Sequence, residues 1–181
     1  SGYGASHRLD TPGHQDFSED TYRTLMAADS AVMVIDGSKG VEAQTIKLFK
    51  VCVMRHIPIF TFVNKMDREA RDPFELMSEI EDVLGIHTCP INWPIGCGKS
   101  FKGVYDRQTK KITTFTAAMG GQKEVATETF DVEGTDVDSV IGSDFHAQLR
   151  DDIELLDGAS DEFDQELVSA GKLSPVFFGS A

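Results

Sequence analysis

The chain has 181 residues, of which 40 % are hydrophobic and 26 % charged, and this composition suits one folded domain rather than a mainly disordered chain. Its formal net charge of −13 excludes the general basic surface of a non-specific nucleic-acid binder, so we expect no DNA partner. No apolar run approaches the roughly 18 residues of a membrane span, and three cysteines without a CxxC pair predict a reducing, cytoplasmic location.

Strand and helix patterns alternate along the first part of the chain. Residues 30–36 form an apolar run that ends in Asp-Gly, and residues 57–63 form a second such run, so both are predicted to be buried strands. Residues 42–56 have helical spacing. Four residues are predicted to share one side of this helix: Ile46, Phe49, Val53 and His56.

A second helix is predicted from its end signals. Asp72 is suited to the N-cap, Pro73 to the first helical position and Gly85 to the C-cap. The predicted apolar stripe of this helix consists of Leu76, Met77, Ile80, Val83 and Leu84. Strands that alternate with helices predict an α/β domain with a mainly parallel sheet and flanking helices.

The pattern changes after residue 100. Short strand-like runs at 101–106, 111–117 and 125–130, the last two separated by Gly120-Gly121, predict a small antiparallel insertion. Helical spacing returns in two sets, Phe145, Leu149, Ile153 and Leu156, then Phe163, Leu167 and Ala170. Residues 174–178 form another buried strand. We therefore expect a core of residues 7–98 and 171–181, an inserted α+β subdomain of residues 99–170, and a remnant of expression at residues 1–6.

Three polar motifs follow predicted strands, and the first is Asp10-Thr-Pro-Gly-His14. An Asp in this place can reach Mg²⁺ through water, and Gly13 lets a backbone N–H approach a phosphate closely. A His after that glycine can orient an attacking water, because phosphoryl transfer to water is mostly a problem of positioning. The motif taken alone is also an ordinary turn composition.

The second motif is Asn64-Lys-Met-Asp67 and the third is Gly179-Ser-Ala181. One Asp67 carboxylate can accept two hydrogen bonds from N1–H and N2–H₂ of guanine, a donor pair that adenine lacks. The Lys65 stem can cover a base face, and a backbone N–H of the third motif can bond guanine O6. Ligands bind at the carboxyl ends of parallel strands, which supports the second motif, whereas the third motif taken alone is better explained as a plain turn.

In this order the three motifs resemble those of translational GTPases. Among translational GTPases, the chain most resembles the peptide chain release factor 3 family. Segments that carry the closer resemblance are residues 17–25, 71–76, 90–96 and 149–163. The resemblance implies a P-loop-GTPase-like fold, GTP or GDP with Mg²⁺ as cofactors, and the ribosome and stop-codon-reading release factors as partners. It implies that His14 is catalytic and that Asp10 acts on Mg²⁺ through water. The implied nucleotide-binding residues are Asp10, Thr11, Pro12, Gly13, His14, Asn64, Lys65, Met66, Asp67, Ser180 and Ala181.

The string Cys97-Gly-Lys-Ser100 imitates a phosphate-binding loop but is not one. The pattern G-x-x-x-x-G-K-[ST] requires glycine at position 93, which is Trp93, and such a loop precedes Asp10 in a GTPase. We read Lys99 as a surface residue of a loop. The phosphate loop and the switch I segment are therefore expected to be missing at the N-terminal side, and the chain alone is predicted to be inactive.

Acidic residues concentrate between Glu124 and Glu166, where 15 acids accompany one base, Arg150. This stretch is either a solvated face or a docking surface for a basic partner such as the ribosomal stalk. Two alternatives to the release-factor resemblance stay open. One is another translational GTPase, such as an elongation factor G-like translocase or a ribosomal protection protein, and the other is a non-catalytic binding module.

Overall fold

A computed structural model describes residues 30–116 and 126–180. The predicted motif of residues 10–14, the glycines at 120 and 121, residue 181 and residues 1–6 lie outside this range. The elements of the described residues are β1 (Ala31–Asp36), α1 (Ala43–Met54), β2 (Ile59–Asn64), α2 (Pro73–Leu84), β3 (His87–Pro90), β4 (Asn92–Ile95), β5 (Gly103–Asp106), β6 (Lys111–Thr116), β7 (Ala126–Asp131), α3 (Val137–Ile141), α4 (Ser143–Ala159), α5 (Gln165–Ser169) and β8 (Leu173–Phe178).

The first sheet is parallel, with strand order β1-β2-β8-β3. Strands β2 and β8 each lie between two neighbours, and all six residues of β8 are buried. This position explains why both strands are continuous apolar runs rather than alternating ones, since both faces of the sheet are covered. The prediction of an α/β domain with a mainly parallel sheet is confirmed.

The two faces of this sheet belong to separate apolar clusters because successive side chains of a strand point to opposite sides. Ile59 and Val63 belong to the large cluster that also contains the buried side of α2. Phe60 and Phe62 belong to a smaller cluster on the other face, which includes Val168 of α5. Helices therefore flank both faces in the described part of the chain.

Helix α2 begins and ends as its sequence predicts. The Asp72 side chain accepts a hydrogen bond from the Phe74 N–H at 3.1 Å, and Pro73 is the first helical residue. Gly85 has a φ of 68°, the left-handed conformation that glycine adopts without steric cost. Leu76, Met77, Ile80 and Leu84 are buried.

The second sheet is antiparallel, with strand order β4-β5-β6-β7. Its last three strands confirm the three predicted short runs. A Cβ atom at Gly103 would lie 2.0 Å from the Thr113 carbonyl oxygen, so only glycine allows β5 and β6 to approach this closely. The sheet starts with β4, before residue 99, and the division of the chain at that residue remains a prediction.

The two sheets share one core around Trp93 of β4, which is fully buried. Its ring centroid lies 4.6 Å from that of Phe74 and 5.3 Å from that of Phe178. The indole N–H donates to Asp152 Oδ2 of α4 at 3.0 Å. The predicted α4 stripe is confirmed, since Leu149 and Leu156 are buried in this same core.

Three residues were wrongly predicted to lie on the buried sides of α1 and α2. Val53 of α1 is 49 % exposed and His56 lies beyond the helix end, whereas Thr45 and Cys52 face the protein. This helix also carries Val51 and Met54, so apolar residues occur on most of its sides and do not define one face. Val83 of α2 is 47 % exposed, because Ile80 and Leu84 already occupy the core side.

Some helices and strands were predicted wrongly or were not predicted. The set of Phe163, Leu167 and Ala170 does not form one helical stripe, since the helix covers only Gln165–Ser169 and its buried side chain is Val168. Strands β3 and β4 and helix α3 were not predicted. Strands β3 and β4 each contain a proline, which made both strands difficult to predict from the sequence. A proline has no N–H to donate within a sheet and is therefore found mainly at strand ends and edges.

Replacing Asp72 by Ala removes the N-cap acceptor of α2. We expect this change to lower the free energy of unfolding by about 1 kcal/mol, because the Phe74 N–H loses its partner. Urea unfolding followed by the fluorescence of Trp93, the single tryptophan, measures the change. Asp82→Ala, an exposed site on the same helix, is the matched control. Equal stability of the two variants would contradict the assignment of the cap.

Candidate functional site

The chain leaves β2 through a tight turn of Asn64, Lys65, Met66 and Asp67, called the 64–67 turn below. Lys65 has a φ of 65°, a left-handed conformation that residues other than glycine rarely adopt. The Asn64 side-chain oxygen accepts from the Lys65 N–H at 2.8 Å, and the Arg68 N–H donates to the Lys65 carbonyl at 3.1 Å. These bonds maintain a strained backbone at the carboxyl edge of the sheet, the edge at which open α/β sheets generally bind ligands.

Met66 is the centre of this turn and is fully buried. Its N–H donates to the Gly179 carbonyl at 3.0 Å, and its own carbonyl accepts from the Gly98 N–H at 2.9 Å. The Gly179 N–H in turn donates to the Val63 carbonyl at 3.0 Å. The loops that follow β2, β4 and β8 are therefore joined through the backbone of one buried residue.

Asp67 follows Met66 and is exposed. Because Met66 is fixed on both of its backbone groups, the Asp67 carboxylate projects from an anchored support rather than from a free loop. A carboxylate held in this way can accept two parallel N–H donors from a planar ligand edge. The donor set of guanine, N1–H and N2–H₂, fits this acceptor, and half-buried Ser180 lies in the loop bonded to the same turn.

The Lys65 ammonium contacts Asp36, the last residue of β1. Its Nζ lies 3.1 Å from Asp36 Oδ2. Asp36 Oδ1 accepts from the Ser38 hydroxyl at 2.6 Å and from the Ser38 N–H at 2.8 Å. The pKa of Asp36 lies well below its usual range, chiefly because its carboxylate accepts from the Ser38 hydroxyl. The Ser38 N–H and the Lys65 ammonium lower the pKa further, whereas burial acts in the opposite direction. Asp36 is therefore a permanent anionic partner for Lys65.

Residues 97–100 carry the string that imitates a phosphate loop. They enter a short 3₁₀ turn at Gly98–Ser100, and Lys99 is exposed. Gly98 has a φ of 61°, and a Cβ atom there would lie 3.2 Å from the Arg68 carbonyl oxygen. The glycine allows this loop to approach the 64–67 turn closely enough for the bond to Met66.

Five predicted nucleotide-binding residues lie in the described range: Asn64, Lys65, Met66, Asp67 and Ser180. The first four form the 64–67 turn. Ser180 follows Gly179, whose carbonyl accepts a hydrogen bond from that turn. Asp10, Thr11, Pro12, Gly13, His14 and Ala181 lie outside the described residues. Asp36, Ser38 and Gly98 were not predicted to support the site. The Asp-Gly at the end of β1 was the available signal for Asp36, but an end-of-strand aspartate alone does not identify its partner.

Comparison with known proteins identifies the class of this domain. A family model described as the elongation factor Tu GTP binding domain matches residues 5–181. The chain therefore belongs to the family of elongation factor Tu GTP binding domains. Among the described residues, no helix is long and apolar enough to cross a membrane.

The curated relatives of this chain indicate a narrower group within that family. Peptide chain release factor 3 of Symbiobacterium thermophilum is 62 % identical over 173 residues, which is 96 % of this chain and 33 % of that protein. The proteins of the same name from Synechocystis sp. and Cyanothece sp. are 55 % and 53 % identical, with 96 % of this chain and 32 % of each relative covered. The chain thus spans about a third of the length of these relatives.

Asp36→Asn tests the support of Lys65. The variant loses the charge that binds Lys65 and Ser38, so we expect the free energy of unfolding at pH 7 to fall by roughly 1–2 kcal/mol. The folded-state pKa of Asp36 lies below its unfolded value, so this stabilisation is present above the unfolded pKa and is lost as pH falls through the folded one. The difference from wild type should narrow below about pH 4.

Urea unfolding across this pH range gives the measurement, and Asp82→Asn at an exposed site is the control. A difference that stays constant with pH would show that the charge of Asp36 is not the source of the stabilisation.

Proposed function

We propose that this chain is the guanine-nucleotide-binding domain of a ribosome-dependent GTPase that acts in translation termination and recycles stop-codon-reading release factors. Guanine recognition is supported by the 64–67 turn. Its buried residue Met66 is hydrogen-bonded to Gly179 and Gly98, while Asp67 is exposed. The termination part is supported by relatives named peptide chain release factor 3.

Base selection in this proposal uses three parts of the site. Asp67 accepts the N1–H and N2–H₂ donors of guanine, and the aliphatic stem of Lys65 covers the base while its ammonium stays with Asp36. Ser180 and Ala181 supply backbone N–H donors to guanine O6. An adenine offers an acceptor at N1 where Asp67 needs a donor, so its binding leaves a carboxylate without partners.

Hydrolysis is assigned to the motif of residues 10–14 on the basis of its resemblance to translational GTPases. Asp10 would act on Mg²⁺ through water, Gly13 would meet the γ-phosphate, and His14 would position the attacking water. Thr11 and Pro12 belong to the same motif. The bound Mg²⁺ would neutralise charge on the phosphate oxygens, and the protein would contribute chiefly positioning.

The 181 residues contain no G-x-x-x-x-G-K-[ST] pattern, and that loop is the main source of phosphate affinity in this class. We therefore propose that this chain alone binds guanine nucleotides weakly and does not hydrolyse GTP. The activity belongs to proteins in which such a loop accompanies these motifs.

The ribosome and the stop-codon-reading release factors are the proposed partners, and the cytoplasm is the proposed location. The alternatives are an elongation factor G-like translocase, a ribosomal protection protein and a non-catalytic binding module. Identities of 53–62 % to release factor 3 proteins over 96 % of the chain favour the first proposal over these three.

A contact between the acidic stretch and a basic face of the ribosomal stalk is a further part of the proposal. Asp151 and Glu154 are exposed on α4 and are available to a partner. Asp152 differs from them, because it accepts the Trp93 indole N–H at 3.0 Å and the Gln148 side-chain N–H at 3.0 Å. Asp152 therefore supports the core and is unsuited to a test of docking.

Variants of Asp67 test base recognition. Titration of this chain with fluorescent GDP and ADP analogues should show weak binding that prefers guanine. Asp67→Ala should abolish that preference. Asp67→Asn should shift it to the xanthine nucleotide, because xanthine replaces the N2 donor of guanine by a carbonyl that accepts from the Asn amide.

Asp82→Ala is the control for a lost surface charge. Guanine and adenine analogues that bind wild type equally would contradict the proposal, and so would an unchanged preference in both Asp67 variants.

Charge reversal tests the stalk contact. In a full-length release factor 3 that carries this domain, Asp151→Lys with Glu154→Lys should lower ribosome-stimulated GTP hydrolysis several-fold, chiefly through slower association at low salt. GTP hydrolysis without ribosomes should not change. The matched control reverses Glu75 and Asp82, two exposed acids of α2. An equal response of the two double variants would remove the stalk contact from the proposal.

A further inference from the structure

Three side chains from separate parts of the fold meet on the surface away from the 64–67 turn. They are Glu81 of α2, His87 at the start of β3, and Asp161 in the segment that follows α4. One ligand atom from each lies within 4.8 Å of the other two. Among the described residues, this is the one such group of histidine, cysteine and carboxylate side chains.

The spacing of two of these atoms matches a metal site better than a hydrogen bond. His87 Nδ1 lies 3.4 Å from Asp161 Oδ2, beyond the 2.7–3.2 Å range of N–H···O hydrogen bonds. Tetrahedral zinc with bonds of about 2 Å places its ligand atoms roughly 3.3 Å apart. A cation bound between these two atoms would need little movement of either side chain.

The third side chain is held in place by a buried neighbour. Glu81 Oε2 accepts from the Thr88 N–H at 2.9 Å and from the Thr88 hydroxyl at 3.0 Å. Thr88 is 2 % exposed, so it forms a rigid support. Partners of this kind orient the carboxylate ligands of metal sites and raise their affinity. The exposed His87 and Asp161 can then rotate towards a cation near Glu81.

We propose that Glu81, His87 and Asp161 bind a divalent transition-metal ion of the zinc type, with water completing its coordination. An imidazole with two carboxylates suits zinc, whereas Mg²⁺ and Ca²⁺ select oxygen ligands alone. The bound ion fastens the segment after α4 to α2 and β3. Its role is structural, and it is independent of the nucleotide proposal.

Calorimetric titration of the whole chain with zinc chloride tests this proposal. Cys97→Ser is used throughout, because this exposed thiol would compete for zinc. We expect saturable binding of one zinc ion and no comparable binding of Mg²⁺. His87→Gln should weaken zinc binding at least about tenfold, whereas His56→Gln, at an exposed histidine outside the group, should not. Thr88→Val should weaken it by up to about tenfold through the loss of the hydroxyl.

Thermal unfolding supplies the second measurement. Zinc should raise the unfolding midpoint of the Cys97→Ser chain but not that of the same chain with Asp161→Asn, because the ion then no longer ties the segment after α4. The absence of saturable zinc binding would overturn the proposal and leave only an exposed contact between His87 and Asp161. Equal zinc affinities of the His87→Gln and His56→Gln variants would overturn it as well.

Discussion

The hydrogen bonds of Met66 are the constraint on which the candidate site depends. A buried backbone N–H or carbonyl requires a partner, and each of these groups in Met66 finds one in a different loop. Parallel pairing makes this possible, since the carboxyl ends of β2 and β8 reach the same edge of the sheet. The loops at that edge are thus held by the pairing register of the strands, and a shift of register would separate Met66 from Gly179.

The antiparallel sheet is part of the same support. The side chain of Asn92 in β4 donates to the Phe178 carbonyl at 3.1 Å and accepts from the Phe178 N–H at 2.7 Å. These two bonds attach the second sheet to the last residue of β8, directly before Gly179. Trp93 packs on the ring of Phe178 and bonds Asp152 of α4. The antiparallel sheet is therefore packed into the core beside the candidate site and is not an appendage of it.

The sequence predicted the parts that depend on local rules. Buried parallel strands are continuous apolar runs, and the Asp72, Pro73 and Gly85 signals of α2 depend on backbone chemistry within a few residues, so both were recovered. The face of α1 was misjudged because several of its sides are apolar, and the stripe within residues 163–170 was misjudged because the helix covers only Gln165–Ser169. The support of Lys65 by Asp36 and of Met66 by Gly98 joins residues about 30 apart in the chain, and only the folded structure brings these residues together.

The arrangement separates the two demands that a nucleotide places on such a domain. In the proposed site, base selection would rest on contacts within the folded chain: Asn64 to the Lys65 N–H, Met66 to Gly179 and Gly98, and Lys65 to Asp36. None of these bonds uses a phosphate contact. The cost of ordering the proposed base pocket would then be met by folding and not by binding. Phosphate contacts elsewhere in the domain could then add affinity without being required to shape the proposed base pocket.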